Sequence, residues 1–240
     1  MPLRMPEQAN YTIFPLGDTA LTIDFGNSID EAINQKVLAL FHALKENNLP
    51  GIIELVPAYS SLAVYYDIAT IKKNYPAFST AYEALKDQLE RRLTQPVENK
   101  NLSSQLIKIP VCYDKEFALD IDELMAVKKI SSEELIESHT SAIYTVYMLG
   151  FLPGFTYMGK IEDKIAMARK TNPRQRVEGG SVGIAGIQTG IYPLPCPGGW
   201  QIIGRTPIQL FNANTTSLTL LKPGDKVQFY SISKDEFNSY

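Results

Sequence analysis

The sequence is poor in the residues that bind metal ions. It has two cysteines, Cys112 and Cys196, and two histidines, His42 and His139. The cysteines are far apart and lack C-x-x-C spacing, and a zinc site needs more ligands than these. A disulfide between them is not expected. We therefore predict a protein without a metal site.

The sequence also lacks a charge excess and any long apolar run. Its formal net charge of -3 gives no positive field that would attract nucleic acid, so proteins or small molecules are the expected partners. No apolar run reaches the ~18 residues that a membrane span requires. The opening MPLRMPEQAN has no basic end followed by an apolar core, so no signal peptide is predicted. We expect a cytoplasmic protein that binds neither nucleic acid nor membranes.

Nucleotide-binding motifs are absent as well. The sequence contains no G-x-x-x-x-G-K-[ST] loop, and no G-x-G-x-x-G lies between a predicted strand and a predicted helix. Binding of ATP by this chain alone is therefore not predicted. This absence fits one subunit of an assembly better than a complete ATP-driven enzyme.

The first part of the chain, residues 8–97, predicts an α+β domain. Two short apolar runs in residues 11–26 indicate paired strands, and residues 52–67 indicate two more. Apolar residues at helical spacing follow each pair, and either Ser28 or Asp30 caps the first helix. The order strand, strand, helix, strand, strand, helix favours a two-layer sandwich with both helices on one face of the sheet.

The second part of the chain, residues 104–235, predicts a mainly-β domain. Residues 97–105 are polar without apolar periodicity and are the candidate linker. Two short helices are expected within residues 120–138: one begins at Asp120, and Ser131-Ser132-Glu133-Glu134 has the capping composition for the next. Eleven of the fifteen glycines then lie between Gly150 and Gly204, interleaved with short β-rich runs. Many short strands punctuated by glycine and proline favour a closed barrel.

Five patterns in the glycine-rich stretch carry the strongest signal. In order they are GFLPGFTYMG (150–159), TNPRQRVEGGSVGIAG (171–186), QTGIYP (188–193), PGGW (197–200) and IGRTP (203–207). Glycine loses much backbone entropy on folding, so such density is expected where the backbone turns tightly or where a ligand approaches it closely. Barrel turns and bulges are the alternative explanation for any single glycine. Both interpretations stay open from the sequence.

Three charged or titratable residues are candidate catalytic groups. His139 precedes a predicted strand, and imidazole titrates near neutrality, so it can act as a general acid or base. A buried, hydrogen-bonded histidine is the alternative. Arg174 and Arg205 lie in Gly/Pro-rich segments, where an arginine fork can hold a carboxylate or phosphate through two parallel bonds. Ion pairs at the surface are the alternative for both arginines.

Five further residues are candidate substrate contacts, namely Ser181, Gln188, Thr189, Tyr192 and Trp200. Gln188 and Thr189 offer an amide and a hydroxyl beside a glycine. Ser181 follows two glycines, but GGSVG lacks the G-x-S-x-G spacing of a nucleophile elbow, so covalent serine catalysis is not predicted. Tyr192 and Trp200 either pack in the core or form the wall of a pocket.

Taken together, the five patterns resemble the allophanate hydrolase subunit 1 and kinase-inhibitor family. PLGDTALTIDFG and GIIELVPAYSSLAVYYD, nearer the start, extend the resemblance over nearly the whole chain. It implies a cyclophilin-like barrel for residues 104–235 and a histidine at the position of His139. It also implies a subunit of an ATP-dependent 5-oxoprolinase, which opens 5-oxoproline to L-glutamate together with partner subunits A and C. ATP would then be bound by the assembled complex.

The resemblance leaves a second function open. The same family includes an inhibitor of a sporulation sensor histidine kinase, so direct binding to a histidine kinase is the alternative. Related sequences also form part of the carboxyltransferase of urea carboxylase. Prolyl isomerase activity follows only from analogy with the barrel, and a fold does not imply a function.

Overall fold

The structure, a computed structural model, describes residues 11–94 and 105–240. The described residues form two compact units, one within residues 11–94 and one within residues 105–240. The predicted linker lies outside the described residues except for Gln105, and so do the inner ends of the two predicted domains. Within the described ranges, no helix is long and apolar enough to cross a membrane.

The amino-terminal unit combines one sheet with three helices. In chain order its elements are β1 Thr12–Pro15, β2 Ala20–Asp24, α1 Glu31–Glu46, β3 Ile52–Pro57, β4 Ser61–Tyr66, α2 Ile68–Asn74 and α3 Ala81–Leu93. The sheet is antiparallel with the order β1-β2-β4-β3. Apolar residues of β2 and β4 pack with those of α1 and α3 in one core. All four predicted strands are present, and α2 is a short helix that the apolar spacing did not predict.

Side-chain caps explain where the two longer helices of this unit begin. The carboxylate of Asp30 accepts a hydrogen bond from the Ile33 amide at 3.0 Å, so Asp30 rather than Ser28 caps α1. Thr80 and Glu83 form a reciprocal capping box at the start of α3.

The carboxy-terminal unit is built around a closed barrel. Its elements are β5 Leu106–Cys112, α4 Ile121–Lys128, α5 Ser132–Ser141, β6 Ile143–Leu149, β7 Thr156–Gly159, β8 Arg174–Val177, β9 Ser181–Ala185, β10 Gln188–Ile191, β11 Cys196–Gly198, β12 Gln201–Arg205, β13 Lys226–Ile232 and α6 Lys234–Asn238. Seven strands close in the order β10-β7-β6-β13-β5-β12-β9, and β8 pairs with β11 in a separate two-stranded sheet. Only β5 and β13 pair in parallel within the described barrel. The predicted closed barrel is confirmed.

Two apolar clusters fill this unit. The larger one lies inside the barrel and is dominated by aliphatic side chains such as Val146, Ile184 and Ile203. The smaller one combines Phe155 and Trp200 with apolar neighbours from β8, β9 and β12. The capping box of Ser131 and Glu134 begins α5, as the sequence predicted, and α5 carries His139 into the larger core.

Candidate functional site

The neighbouring strands β9, β10 and β12 carry most of the predicted substrate residues. Ser181 at the start of β9 stands opposite Arg205 at the end of β12. Gln188 and Thr189 begin β10, which pairs with β9 across a tight turn. Successive side chains of a strand point to opposite faces, so these two residues do not share a face. Thr189 is buried in the barrel, whereas Gln188 is half-buried.

A chain of hydrogen bonds runs through the ring of His139. Nδ1 lies 2.7 Å from the Tyr113 hydroxyl, and Nε2 lies 2.9 Å from Oγ1 of Thr189. The same Oγ1 lies 3.1 Å from the carbonyl oxygen of Gly183. A carbonyl only accepts, so the single hydroxyl proton of Thr189 goes to Gly183, and Nε2 of His139 is the donor to Thr189. The network therefore assigns the neutral Nε2–H tautomer, with Nδ1 accepting from Tyr113.

Burial keeps this ring neutral. His139 is inaccessible to solvent and stacks on Phe229, with ring centroids 4.5 Å apart and planes 19° apart. Burial lowers the pKa of His139 to about 3. Both ring nitrogens are bonded to buried hydroxyls, which encloses the ring within the protein. The proton-transfer role predicted for His139 needs a contact with substrate that this arrangement does not offer. Its contacts instead position Thr189 on β10.

Tyr192 and Trp200 belong to an aromatic cluster around Phe155. The Phe155 ring centroid lies 5.0 Å from that of Tyr192 and 5.3 Å from that of Trp200, both in edge-to-face geometry. Tyr157 packs at the border of the cluster, 4.8 Å from Phe155. Burial raises the pKa of Tyr192 to about 12, so its hydroxyl stays protonated near neutral pH. Of the two sequence-based alternatives for Tyr192 and Trp200, the structure places both rings in the core.

Two glycines of the patterns make room for these rings. A Cβ atom on Gly190 would lie 2.5 Å from the carbonyl oxygen of Thr156 and 2.9 Å from Cζ3 of Trp200. A Cβ atom on Gly198 would lie 2.5 Å from the hydroxyl of Tyr192. Real Cβ contacts are not this short. At these two positions glycine makes room for an aromatic side chain, a reason that neither sequence-based interpretation named.

A buried carboxylate, that of Asp120, organises the charged residues beside the aromatic cluster. It accepts from Nη1 and Nη2 of Arg174 at 2.8 and 2.6 Å, and from Nζ of Lys170 at 2.8 Å. The backbone amide of Ile202 donates a further bond at 2.7 Å. Nζ of Lys170 also donates to Glu123 at 2.8 Å. Two cations and two carboxylates thus balance in one cluster, named here the Asp120 ion cluster.

This cluster occupies the guanidinium group of Arg174. Burial by itself raises the pKa of Asp120, but the bonds from Arg174, Lys170 and the Ile202 amide outweigh it and leave that pKa below its ordinary value. The guanidinium fork is filled by the carboxylate, so its terminal nitrogens are not presented to a substrate anion. Arg174 ties β8 to the start of α4. Sequence reasoning missed the partner, although Asp120 was recognised as the start of a helix.

Arg205 keeps donors that Arg174 does not. Its Nε donates to the carbonyl oxygen of Gly179 at 2.8 Å, and its terminal amino groups have no hydrogen-bond partner within the described chain. Arg176, on β8, pairs with Glu178 at 2.5 Å. Of these two arginines, Arg205 is therefore the one with donors left for an anion.

An open groove of about 360 Å³ lies beside the Asp120 ion cluster. Its lining includes Glu123, Arg169, Lys170, Thr171, Asn172 and Gln201. The amide nitrogen of Gln201 donates to the carbonyl oxygen of Ala168 at 2.9 Å, which fixes the wall of the groove. The guanidinium carbon of Arg169 lies 5.7 Å from the ring centroid of Trp200. Sequence reasoning missed Arg169, which stands outside the glycine-rich patterns.

The structure brings the predicted residues together in small groups rather than in one set. His139 contacts Thr189, and the Tyr192 amide donates to the carbonyl oxygen of Ser181 at 2.9 Å. Arg174 on β8 pairs with Gly198 on β11, and Gly198 lies two positions before Trp200. Five of the eight are buried, namely His139, Ser181, Thr189, Tyr192 and Trp200. These five shape the walls of the unit, while the arginines and Gln188 reach solvent.

Metal-ligating residues are not grouped in the described ranges. No three His, Cys, Asp or Glu side chains there are arranged to hold a metal ion, and both cysteines are free thiols.

Comparison with known proteins identifies the class to which this fold and site belong. The family model for the carboxyltransferase domain, subdomains C and D, matches residues 11–221. The chain belongs to this family. At 43% identity over 231 residues, it is similar to the B subunit of 5-oxoprolinase from Bacillus subtilis, with 96% of each chain covered.

Solved structures extend the comparison to longer chains. The crystal structure of TTHA0988 matches with a TM-score of 0.76 at 33% identity, and the match covers 89% of this chain and 40% of that one. Urea carboxylase of Kluyveromyces lactis matches with a TM-score of 0.77 at 21% identity, over 98% of this chain and 23% of that one. The second match shows a shared fold. The chain spans less than half the length of each of these two structural relatives.

Proposed function

We propose that this chain is the B-type subunit of an ATP-dependent 5-oxoprolinase. In this proposal it works with partner subunits A and C to open 5-oxoproline to L-glutamate. The observation that carries it is the 43% identity with the Bacillus subtilis protein, because 96% of each chain is covered. The lactam carbonyl of 5-oxoproline is a weak electrophile, which explains why opening the ring is coupled to ATP.

Three cations near the glycine-rich patterns are not free to hold a triphosphate. In the described part of the barrel unit, Lys170, Arg174 and Arg176 are each paired with carboxylates. A phosphate cradle needs several unpaired donors together, as in a glycine-rich loop with its lysine. We therefore assign ATP to the assembled complex. The cyclophilin-like character of the barrel belongs to the same proposal.

Within the proposal, the predicted site residues divide by exposure. Arg205 supplies charged donors for the negative charge that develops on the carbonyl oxygen, because its terminal amino groups have no described partner. Half-buried Gln188 is a substrate contact. The wall beside Arg205 and Gln188 is shaped by the buried residues Ser181, Thr189, Tyr192 and Trp200. His139 and Arg174 are positioning residues.

The test is reconstitution. The chain is co-expressed with the neighbouring genes for the partner subunits, and 5-oxoproline-dependent release of ADP and formation of glutamate are measured. We expect activity from the complete mixture and none from the purified chain, nor from the partners without it. Turnover by the purified chain alone, or full activity of the partners in its absence, contradicts the proposal. The kinase-inhibitor alternative stays a prediction.

A further inference from the structure

The groove beside the Asp120 ion cluster contains one cation whose charge is not matched. Lys170 donates to Asp120 and to Glu123, both at 2.8 Å, so its charge is neutralised. Gln201 is also committed, since its amide nitrogen bonds Ala168 and its oxygen faces Lys170 at 3.4 Å. Arg169 forms no ion pair with any described residue.

Arg169 is nevertheless held in place. Its guanidinium lies over the ring of Trp200 at 5.7 Å, a cation–π distance. Trp200 is 4% exposed and fixed by Phe155, so the arginine rests on a rigid platform. The guanidinium makes no ion pair with a described residue, and its paired N–H groups match the two oxygens of a carboxylate.

Neutral polar groups stand next to this cation. Thr171 and Asn172 line the same groove, both are exposed, and neither side chain makes a hydrogen bond within the described chain. A hydroxyl and an amide can each bond to an amide of a ligand. The volume of about 360 Å³ is that of a site for a small molecule.

We propose that this groove binds a small carboxylate that also carries an amide, with Arg169 holding the carboxylate and Asn172 or Thr171 facing the amide. Resting on the function proposed above, the ligand is 5-oxoproline, and Arg169 is its specificity-determining residue.

The experiment uses the purified full chain, in which Trp200 is the only tryptophan. Its emission is followed while 5-oxoproline is added, with calorimetry on the same samples. The control ligand is 2-pyrrolidinone, which has the same lactam ring without the carboxylate. We expect saturable binding of 5-oxoproline, at least tenfold weaker binding of 2-pyrrolidinone, and at least tenfold weaker binding of 5-oxoproline by R169A. R176A is the matched control, because Arg176 is an exposed arginine already paired with Glu178, and it should bind as the wild type does.

The outcomes separate this proposal from the function on which it rests. Equal binding of 5-oxoproline by R169A and wild type, or equal binding of the two lactams, overturns the carboxylate site. If succinate binds in an Arg169-dependent way while 5-oxoproline does not, the site stands and its assignment to 5-oxoproline falls. If the reconstituted complex turns over 5-oxoproline equally well with R169A, the function stands and the role of Arg169 falls.

Discussion

The hydroxyl of Thr189 lies between Nε2 of His139 and the carbonyl oxygen of Gly183, at 2.9 and 3.1 Å. The single hydroxyl proton of Thr189 therefore sets the donor and acceptor of each hydrogen bond in the network through His139. Protonating the ring at Nδ1 would turn the acceptor of the Tyr113 bond into a donor. The hydroxyl of Tyr113 would then have to reverse inside the core, which adds to the cost of burying a charge.

This arrangement predicts an acid-sensitive fold. The pKa of His139 is about 3 in the folded chain, whereas an unfolded histidine has a pKa of ~6.5. Between these values the unfolded chain binds a proton that the folded chain does not, so stability is complete above pH ~6.5 and falls as the pH decreases towards 3. We expect a loss of roughly 2 kcal/mol in the free energy of unfolding between about pH 6.5 and 5, measured by urea denaturation.

Ring NMR of the two histidines checks the cause of that loss. The signals of His139 should not titrate above about pH 5, because burial lowers its pKa so far. His42 is the internal control, since it is only half-buried and should respond to pH. A His139 midpoint near neutrality would show that the ring is accessible and would restore the proton-transfer role.

The two carboxylates of the Asp120 ion cluster are predicted to contribute unequally to stability. Asp120→Asn leaves two cations without their buried partner and should lower the free energy of unfolding by about 3 kcal/mol. This value is at the lower end for a broken buried ion pair, because Arg174 and Lys170 are partly exposed. Glu123→Gln removes the exposed carboxylate of the same cluster and should cost ~0.5 kcal/mol. Chemical denaturation of both variants measures the difference. Equal losses would mean that burial of Asp120 does not matter.

Glycine at position 190 is predicted to be a packing requirement. Gly190→Ala places a methyl group against Thr156 and Trp200 and should cost at least ~1–3 kcal/mol. Gly199→Ala is the matched control, since its nearest neighbours lie at 3.5 Å, an ordinary contact distance. The fluorescence of Trp200 and the melting temperature should change in the first variant alone. A Gly190→Ala protein of unchanged stability contradicts the account of the aromatic cluster.

The anion-stabilising role proposed for Arg205 is separable from folding. In the reconstituted complex, Arg205→Ala should lower turnover about tenfold or more, which corresponds to ~1.4 kcal/mol of transition-state binding. Within the described chain its side chain makes one hydrogen bond, from Nε to Gly179, so the free energy of unfolding should fall by about 1 kcal/mol at most. Arg176→Ala should change neither quantity. Unchanged turnover of the Arg205 variant would remove this role.

Local patterns in the sequence predicted the elements well, and contacts between distant segments were predicted poorly. Alternating apolar residues indicated the four strands of the first unit, and the Ser131–Glu134 spacing indicated the start of α5, because both signals depend on near neighbours. The partner of Arg174 is Asp120, 54 positions earlier, and no local pattern marks that distance. The burial of His139 was equally hidden, since a histidine near a helix end has the same local sequence whether it faces solvent or the core. Arg169 was missed because its contact with Trp200, 31 positions later, depends on the tertiary fold.

The pairing of β5 with β13 has a consequence for biosynthesis. Leu106 pairs with Lys226 and Cys112 pairs with Ile232. The first strand of the barrel, β5, therefore has the last strand, β13, as one of its two neighbours. During translation the ribosome must therefore release residues 226–232 before the ring of strands can close. Until then β5 presents an unpaired edge, the kind of surface that invites association between nascent chains. A stop codon that removed only β13 and α6 would leave every predicted site residue in the product and still deprive the barrel of its closure.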